Sequence, residues 1–253
     1  MNKTPIIIVL IVLLLDVFFE VNFPKINEVS IESEKIKDEI RIIQISDLHG
    51  QELPESIFKK IKEKNPDIVV LTGDLIDEKT KDYNYVYSFV ESLASNEVPV
   101  YYVSGNHDLS HKDVVSFNQE LMKRGVVILD GKKEEFKEID IYGFGYYSDL
   151  SKSENPGDDF SLLLAHDAFP VVKEEGMGFD LILSGHTHGG QVRLPFIGAI
   201  FVPGQGLFAE YDKGLFNLNE KTLLYIDSGL GNTFLPLRFL NRSQVSLITL
   251  YSK

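Results

Sequence analysis

Five of the six histidines in this 253-residue chain stand immediately beyond short apolar, β-rich runs, each beside an aspartate, asparagine or glycine; only His111 does not. In an open α/β sheet, ligands bind outside the carboxyl ends of the strands, where loops from neighbouring strands meet. Reactive residues after several strands in succession therefore constrain the chain to a sheet whose strand ends share one edge. Disordered and fibrous architectures are excluded as well, because 43% hydrophobic content over this length can build a buried core.

The runs supply the sheet. Ile40 to Ser46, Asp67 to Thr72 and Val98 to Ser104 read as strands, and they alternate with stretches of helical spacing at Pro54 to Lys64, Tyr83 to Ala94 and Val114 to Arg124. This βαβαβα order predicts a parallel sheet. Further on, Val126 to Leu129, Ile139 to Gly143, Phe160 to Ala165, Leu181 to Ser184, Leu223 to Asp227 and Val245 to Leu250 read mostly as strands with few helices between them. A second sheet packed on the first, with helices outside, is the expectation. No long linker or low-complexity stretch interrupts residues 40–253, so they read as one domain, with 22–39 as a connecting segment.

The polar clusters are Asp47-Leu48-His49, Gly73-Asp74-Leu75-Ile76-Asp77, Gly105-Asn106-His107-Asp108, His166 with Asp167, and Gly185-His186-Thr187-His188-Gly189-Gly190-Gln191. Imidazole, carboxylate and amide oxygen suit borderline divalent ions such as Mn, Fe, Zn or Co. Thiolate ligands, a cysteine nucleophile and disulfides are excluded, since the chain has no cysteine. The order and spacing of the clusters resemble the metallophosphoesterase superfamily, also called calcineurin-like phosphoesterases. Within it the chain is most similar to the bacterial membrane-associated or exported group, with its Ser46-Asp47-Leu48-His49 opening and its Gly-His-Thr-His-Gly-Gly-Gln close. The resemblance runs from about residue 40 to the C-terminus and includes Gly229-Leu230-Gly231 and Pro236-Leu237-Arg238.

The resemblance implies a four-layer α/β/β/α sandwich, two central mixed sheets flanked by helices, and a metal-dependent phosphoesterase acting on monoesters or diesters. Asp47, His49 and His188 would hold one divalent ion and Asn106, His166 and His186 a second, with Asp74 bridging. Water activated between the ions would be the nucleophile. In strand geometry residues two apart face one side, which would let Asp47 and His49 converge, whereas a turn at Thr187 would send His186 and His188 to different ions. The resemblance assigns His107 to the leaving group, with Asp77 as the carboxylate that hydrogen-bonds it and keeps it a proton donor. Asp108 reads as a structural partner of its loop. Arg193 and Arg238 are candidates for phosphate contact, although solvated or salt-bridged arginine is the more ordinary reading.

Any one of these histidines alone would be read as a satisfied polar residue at a strand end, and Asp47, Asp74 and Asp77 as helix N-caps; the ensemble is not explained that way. A non-catalytic binding scaffold of the same fold should lack ligands, and here every expected position is filled. A nuclease should carry a basic surface or aromatic platforms. Against this, 25 Lys+Arg face 38 Asp+Glu, a net charge of −13 that repels nucleic acid. A pair of cations would leave the site itself positive, so a phosphoester can still be drawn in.

The N-terminus is of another kind. Residues 1–21 form a hydrophobic anchor or signal-like segment, apolar from Pro5 to Leu15, short for a full crossing and followed by no small-x-small cleavage site. An uncleaved anchor is the expectation, with Lys3 on the inner side and the catalytic domain extracytoplasmic. Leu194 to Pro203, with Phe208 and Phe234 to Leu237, is also unusually apolar. It reads either as core cover or as a lipid-contacting groove, and with the anchor it suggests a phospholipid or other lipid-linked envelope substrate.

Overall fold

The computed structural model describes residues 3–94, 97–149, 156–232 and 236–253. The chain begins with α1 (Thr4–Asn22), which has proline in its first turn and no polar stripe, and enters the domain through β1 (Lys25–Ser33). The expected alternation follows: β2 (Ile40–Ile45), α2 (Glu55–Glu63), β3 (Ile68–Leu71), α3 (Asn84–Ala94), β4 (Val100–Tyr102), the short α4 (Asn106–Ser110), α5 (Val114–Lys123) and β5 (Val126–Ile128). The strand-rich half contains β6 (Lys132–Phe136), β7 (Ile139–Phe144), β8 (Phe160–Ala165), α6 (Phe169–Lys173) and β9 (Leu181–Ser184). Two small hairpins come next, β10 (Arg193–Leu194) with β11 (Gly198–Ala199) and β12 (Phe201–Val202) with β13 (Gly206–Leu207). β14 (Gly214–Asn217), β15 (Leu223–Ile226) and β16 (Gln244–Ser252) complete the chain.

Among the described residues two six-stranded sheets form, in the orders β1-β16-β2-β3-β4-β5 and β14-β15-β9-β8-β7-β6. The first is parallel from β2 to β5, with β16 antiparallel to β2; the second is parallel from β15 through β9 and β8 to β7, with antiparallel edges. Both are mixed. The period of two in each strand decides which layer a side chain joins. Ile40 and Ile42 of β2 point into the apolar layer shared with Ile141, Leu162 and Leu183 of the other sheet. Ile43 and Ile45 point the opposite way, onto Ile57, Phe89 and Phe117 of α2, α3 and α5. The outer face of the second sheet is covered more thinly, by Val171 of α6 together with Phe179.

The interval 22–39, read from sequence as a connector, contains β1, paired in parallel with β16 from Lys25 to Ser33. Its burial is that of an edge strand, with Ile31 its only buried residue, and this is why its mixed polar sequence gave no strand signal. β6 went unread for the same reason: Lys132–Phe136 is a charged, exposed edge of the kind that discourages edge-to-edge pairing.

At the carboxyl ends of β2 and β9 the sheets meet closely. Gln44 Nε2 donates to the Ser184 carbonyl at 2.9 Å, and a Cβ on Gly185 would fall 1.7 Å from Ser46 Oγ. Only glycine fits here. The contact brings the loops after β2 and β9 to one point.

Candidate metal centre

Every cluster picked out in the sequence reaches this point except the carboxylate of Asp77. Asp47 and His49 follow β2, Asp74 follows β3, Asn106 and His107 open α4 after β4, His166 follows β8, and His186 and His188 follow β9. Asp47, His49 and His188 form one group of facing donors and Asp74, His166 and His186 another. Within the first, His49 Nε2 lies 3.3 Å from His188 Nε2, and Asp47 Oδ1 lies 3.5 Å from the latter. Within the second, His166 Nε2 is 3.1 Å from His186 Nδ1 and 3.1 Å from Asn106 Oδ1. Asp74 Oδ2 stands between them, 3.3 Å from His166 Nε2 and 3.8 Å from His49 Nε2.

The manner of convergence differs from strand alternation. β2 ends at Ile45, and Asp47 and His49 lie beyond it with φ of 52° and 50°. Asp74, His186 and His188 also have left-handed backbones, with φ of 54°, 68° and 49°. Such conformations in non-glycine residues cost about 1–3 kcal/mol each and concentrate at functional sites. Left-handed kinks, not the pleat, turn these side chains inward. Thr187 divides its two neighbours: its hydroxyl donates to the Asp212 carbonyl at 2.6 Å and accepts from the Gly189 amide, so His186 turns to His166 and His188 to His49. Gly73 is required by close packing, since at φ 90° its Cβ would sit 2.4 Å from His166 Nδ1.

The donor set fits cations. His166 Nδ1 faces the Thr72 carbonyl at 2.8 Å and so carries a proton in either charge state. Its Nε2, when neutral, is a lone pair directed at an amide oxygen, a carboxylate oxygen and another imidazole. His49 and His188 likewise oppose nitrogen to nitrogen. This many acceptors facing one another in a buried space repel unless positive charge lies among them. The ionisation pattern agrees. Burial lowers His49 and His186, each to about 4, and His188 well below the usual histidine value, leaving neutral imidazoles with free lone pairs. Burial also pushes Asp47 up to about 7. Burial opposes charge on His166 too, but the Asp74 carboxylate overcomes it and raises His166 to about 10, supplying by a proton the positive charge the cluster requires.

Four sequence expectations about the periphery can be placed. Asp108 is the structural residue expected: its carboxylate accepts from the amides of Asp74, Ile76 and Gly105 at 2.6, 3.0 and 2.9 Å, tying the β3 and β4 loops together. Asp77 does not make the expected bond to His107; its Oδ1 accepts from the Lys79 amide and from the amide and hydroxyl of Thr80, closing its own turn. His107 is held instead by its backbone, whose amide donates to Asp74 Oδ1 at 2.9 Å, with its ring 5.0 Å from that of His49. Arg193 and Arg238 are committed to the protein. Arg193 pairs with Asp212 at 2.8 Å, and the fully buried Arg238 donates to the carbonyls of Ser228, Gly229, Gly231 and Asn241.

Arg238 supports the centre from behind. The loop it organises returns hydrogen bonds to the metal loop, from Leu230 to the Ser46 carbonyl and from Gly231 to the Asp47 carbonyl. Asn241 does the same for His188, donating to its carbonyl at 2.7 Å. Nothing in the sequence marked Asn241. Tyr146 was missed as well; its ring lies 5.7 Å from His186 and 6.0 Å from His166 at the mouth of the site. Beside His49 opens a cavity of about 540 Å³ lined by Gln51, Asp77, Lys79, Tyr85 and Asn232 among others.

A buried constellation of aspartates, histidines and an asparagine at the joined strand ends of two mixed sheets defines a metal-dependent hydrolase. The model of the calcineurin-like phosphoesterase family matches residues 40–190, and the chain belongs to that family. It is accordingly a metal-dependent phosphoesterase. Its relatives include the uncharacterized metallophosphoesterase YkuE of Bacillus subtilis, 31% identical over 85% of this chain and 80% of that protein. An uncharacterized metallophosphoesterase of Campylobacter jejuni is 32% identical over 91% of this chain, which spans 64% of its length. A Danio rerio transmembrane protein with a metallophosphoesterase domain is 28% identical over 90% of this chain and 57% of its own. Among solved structures, one chain superposes with a TM-score of 0.52 over 76% of this chain and 91% of that one at 11% identity, a likeness of fold alone.

Proposed function

We propose that the centre holds two divalent ions, drawn from Mn, Fe, Zn or Co, and that the protein hydrolyses phosphomonoesters or phosphodiesters by direct attack of water on phosphorus. The observation that carries this reading is that Asp74 Oδ2 lies near both His49 of one donor group and His166 of the other. Asp47, His49 and His188 would hold one ion and Asn106, His166 and His186 the other, with Asp74 within reach of both. When bound, the ions acidify a water molecule and clamp the phosphoryl oxygens. The chain's own residues do the rest. His107, beside Asp74 and His49 and half-buried, delivers a proton to the departing oxygen. Asp77 acts at a distance, as a negative charge beside His49 and a wall of the cavity that receives the leaving group. The Tyr146 ring lies beside His166 and His186.

The reading extends to location and substrate. α1 is long and apolar enough to cross a bilayer, and among its residues only Val21 is buried. It anchors the protein, with the catalytic domain extracytoplasmic and the phosphoester carried by a phospholipid or another lipid-linked envelope molecule. The Danio rerio relative's description as a transmembrane protein supports the anchor.

The test is turnover by the metal-reconstituted full chain of 4-nitrophenyl phosphate, bis(4-nitrophenyl) phosphate and a vesicle-borne phospholipid, each with a chelator control. Metal-dependent release from any of the three supports the reaction, and preference for the vesicle-borne ester supports the lipid substrate. Hydrolysis that persists after chelation would sink the metal assignment, and turnover confined to soluble esters would sink the lipid one.

A further inference from the structure

Between Leu194 and Phe208 fifteen residues pass without a charged side chain, and they fold into the β10–β11 and β12–β13 hairpins. The sequence left open whether these are core strands, and the structure divides them. Ala199 and Val202 are buried, Ala199 packing against Gly190 beneath. Phe196, Ile197, Phe201, Leu207 and Phe208 are 108%, 58%, 54%, 67% and 61% exposed. Phe234, which the sequence grouped with them, lies outside the described residues. Phe196 and Phe208 take φ of 67° and 54°, conformations bulky residues avoid, with their rings outward. Soluble monomers rarely gather exposed apolar side chains in one place without a surface to cover them.

The position of the hairpins indicates which surface. One stretch of backbone joins them to α1: the amide of Arg193 and the carbonyl of Phe239 pair at 3.0 Å, and four residues later the Ser243 amide donates to the Glu20 carbonyl at 2.9 Å. Between these, Arg242 Nε donates to the Phe23 carbonyl, and its guanidinium lies 4.5 Å above the Phe19 ring. An extended chain advances at most about 3.6 Å per residue, so with the two hydrogen bonds included the base of the hairpins and the end of α1 lie within about 20 Å of each other. Through Asn241 and the His188 carbonyl the same stretch reaches the metal centre.

We propose that the two hairpins insert into the surface of the bilayer that α1 enters, a second contact that fixes the orientation of the metal centre toward the membrane. This rests on the membrane reading of α1, and it commits to a lipid surface as the occupant. Attachment at the hairpins is apolar rather than electrostatic, as the uncharged stretch and the net charge of −13 require. A second contact removes the swivel that a single helix would permit.

The chain contains no tryptophan, so single substitutions report local environment directly. In full-length protein reconstituted into phosphatidylcholine–phosphatidylglycerol vesicles, Phe201→Trp and Phe208→Trp should emit at shorter wavelength than in detergent-free buffer and lose intensity to lipids brominated on the acyl chain, unaffected by 0.5 M salt. Phe18→Trp in α1 should be quenched as well. Val115→Trp, 70% exposed on α5 beside the opposite edge of the sheet, should not be. Quenching at Phe18→Trp without quenching at the hairpins would overturn the proposal while leaving the anchor intact; absence at all positions would overturn both. A blue-shifted hairpin emission that brominated lipid fails to quench would mean that protein covers the surface, and would also overturn it. As a second reading, Phe201→Glu with Phe208→Glu should leave 4-nitrophenyl phosphate turnover unchanged and abolish hairpin association, which equal quenching in neighbouring Leu207→Trp reporters with and without the two glutamates would contradict.

Discussion

Asp74 stands within reach of both donor groups, so its replacement tests binding, whereas replacement of His107 tests the chemistry apart from binding. Asp74→Asn removes the shared charge, so metal content and turnover should fall together, read by elemental analysis and ester hydrolysis. His107→Ala should retain its metal and slow turnover by about 10²–10⁴-fold, the usual contribution of a positioned general acid; a full rate in that variant would remove His107 from the reaction. Lys213, whose Nζ donates to Asn241 Oδ1 at 2.8 Å behind the centre, offers a pH test at a residue that is not a candidate ligand. Burial, with repulsion from Arg193 and Lys25, holds its ammonium down to about 8. The unfolded value is about 10.4, so the folded state gives up its proton first as pH rises, and the cost of the buried charge, present in full below pH 8, is relieved between about 8 and 10.4. The stability of wild type relative to Lys213→Met, from urea unfolding, should therefore increase across that window. A flat difference would show that the ammonium is well solvated.

The elements matter through the loops they end in. Among the described residues the buried Arg238 has no carboxylate partner, and it satisfies four carbonyls in and around the loop that backs Asp47. Arg238→Met should cost on the order of 3–5 kcal/mol in unfolding free energy, because those acceptors lose their donor. It should also lower metal affinity, and Arg238→Lys should recover only part of either. The meeting of the β2 and β9 ends is equally exacting. Gly185→Ala forces a methyl group into Ser46 Oγ and Asp47 Oδ2, 1.7 and 2.6 Å from its ideal position. Overpacking of this kind costs about 1–3 kcal/mol, and the displacement falls on a metal ligand. A thermal scan with and without added manganese should show lower stability and a smaller gain from the metal.

At the scale of the whole molecule, the two sheets are drawn together by the apolar layer between them, while the polar end of that layer collects acceptors that only cations reconcile. Metal binding is therefore coupled to folding. Ions present at about 100 times their dissociation constant should stabilise the protein by about 2.7 kcal/mol, so chelation should lower the melting temperature reversibly. Unchanged melting after chelation would mean that the donors tolerate their mutual repulsion. α1 and the hairpins are tied to one stretch of backbone, while the helices α2, α3 and α5 cover the outer face of the first sheet.

The strands Phe160 to Ala165 and Leu181 to Ser184 are legible in the sequence at the residues they occupy, because apolar period is a local property of a chain, while Asp47, His49, Asp74, Asn106, His166, His186 and His188 are candidate ligands through the resemblance of their motifs to a known family, and the fold brings them together. Edge strands such as β1 and β6 were not legible, since half-exposed strands owe their form to a partner remote in sequence. Nor were the left-handed turns at the ligands, the committed roles of Arg193 and Arg238, or the turn that takes the Asp77 carboxylate away from His107. Each depends on which loop lies against which, and that is decided only when the two sheets close on each other.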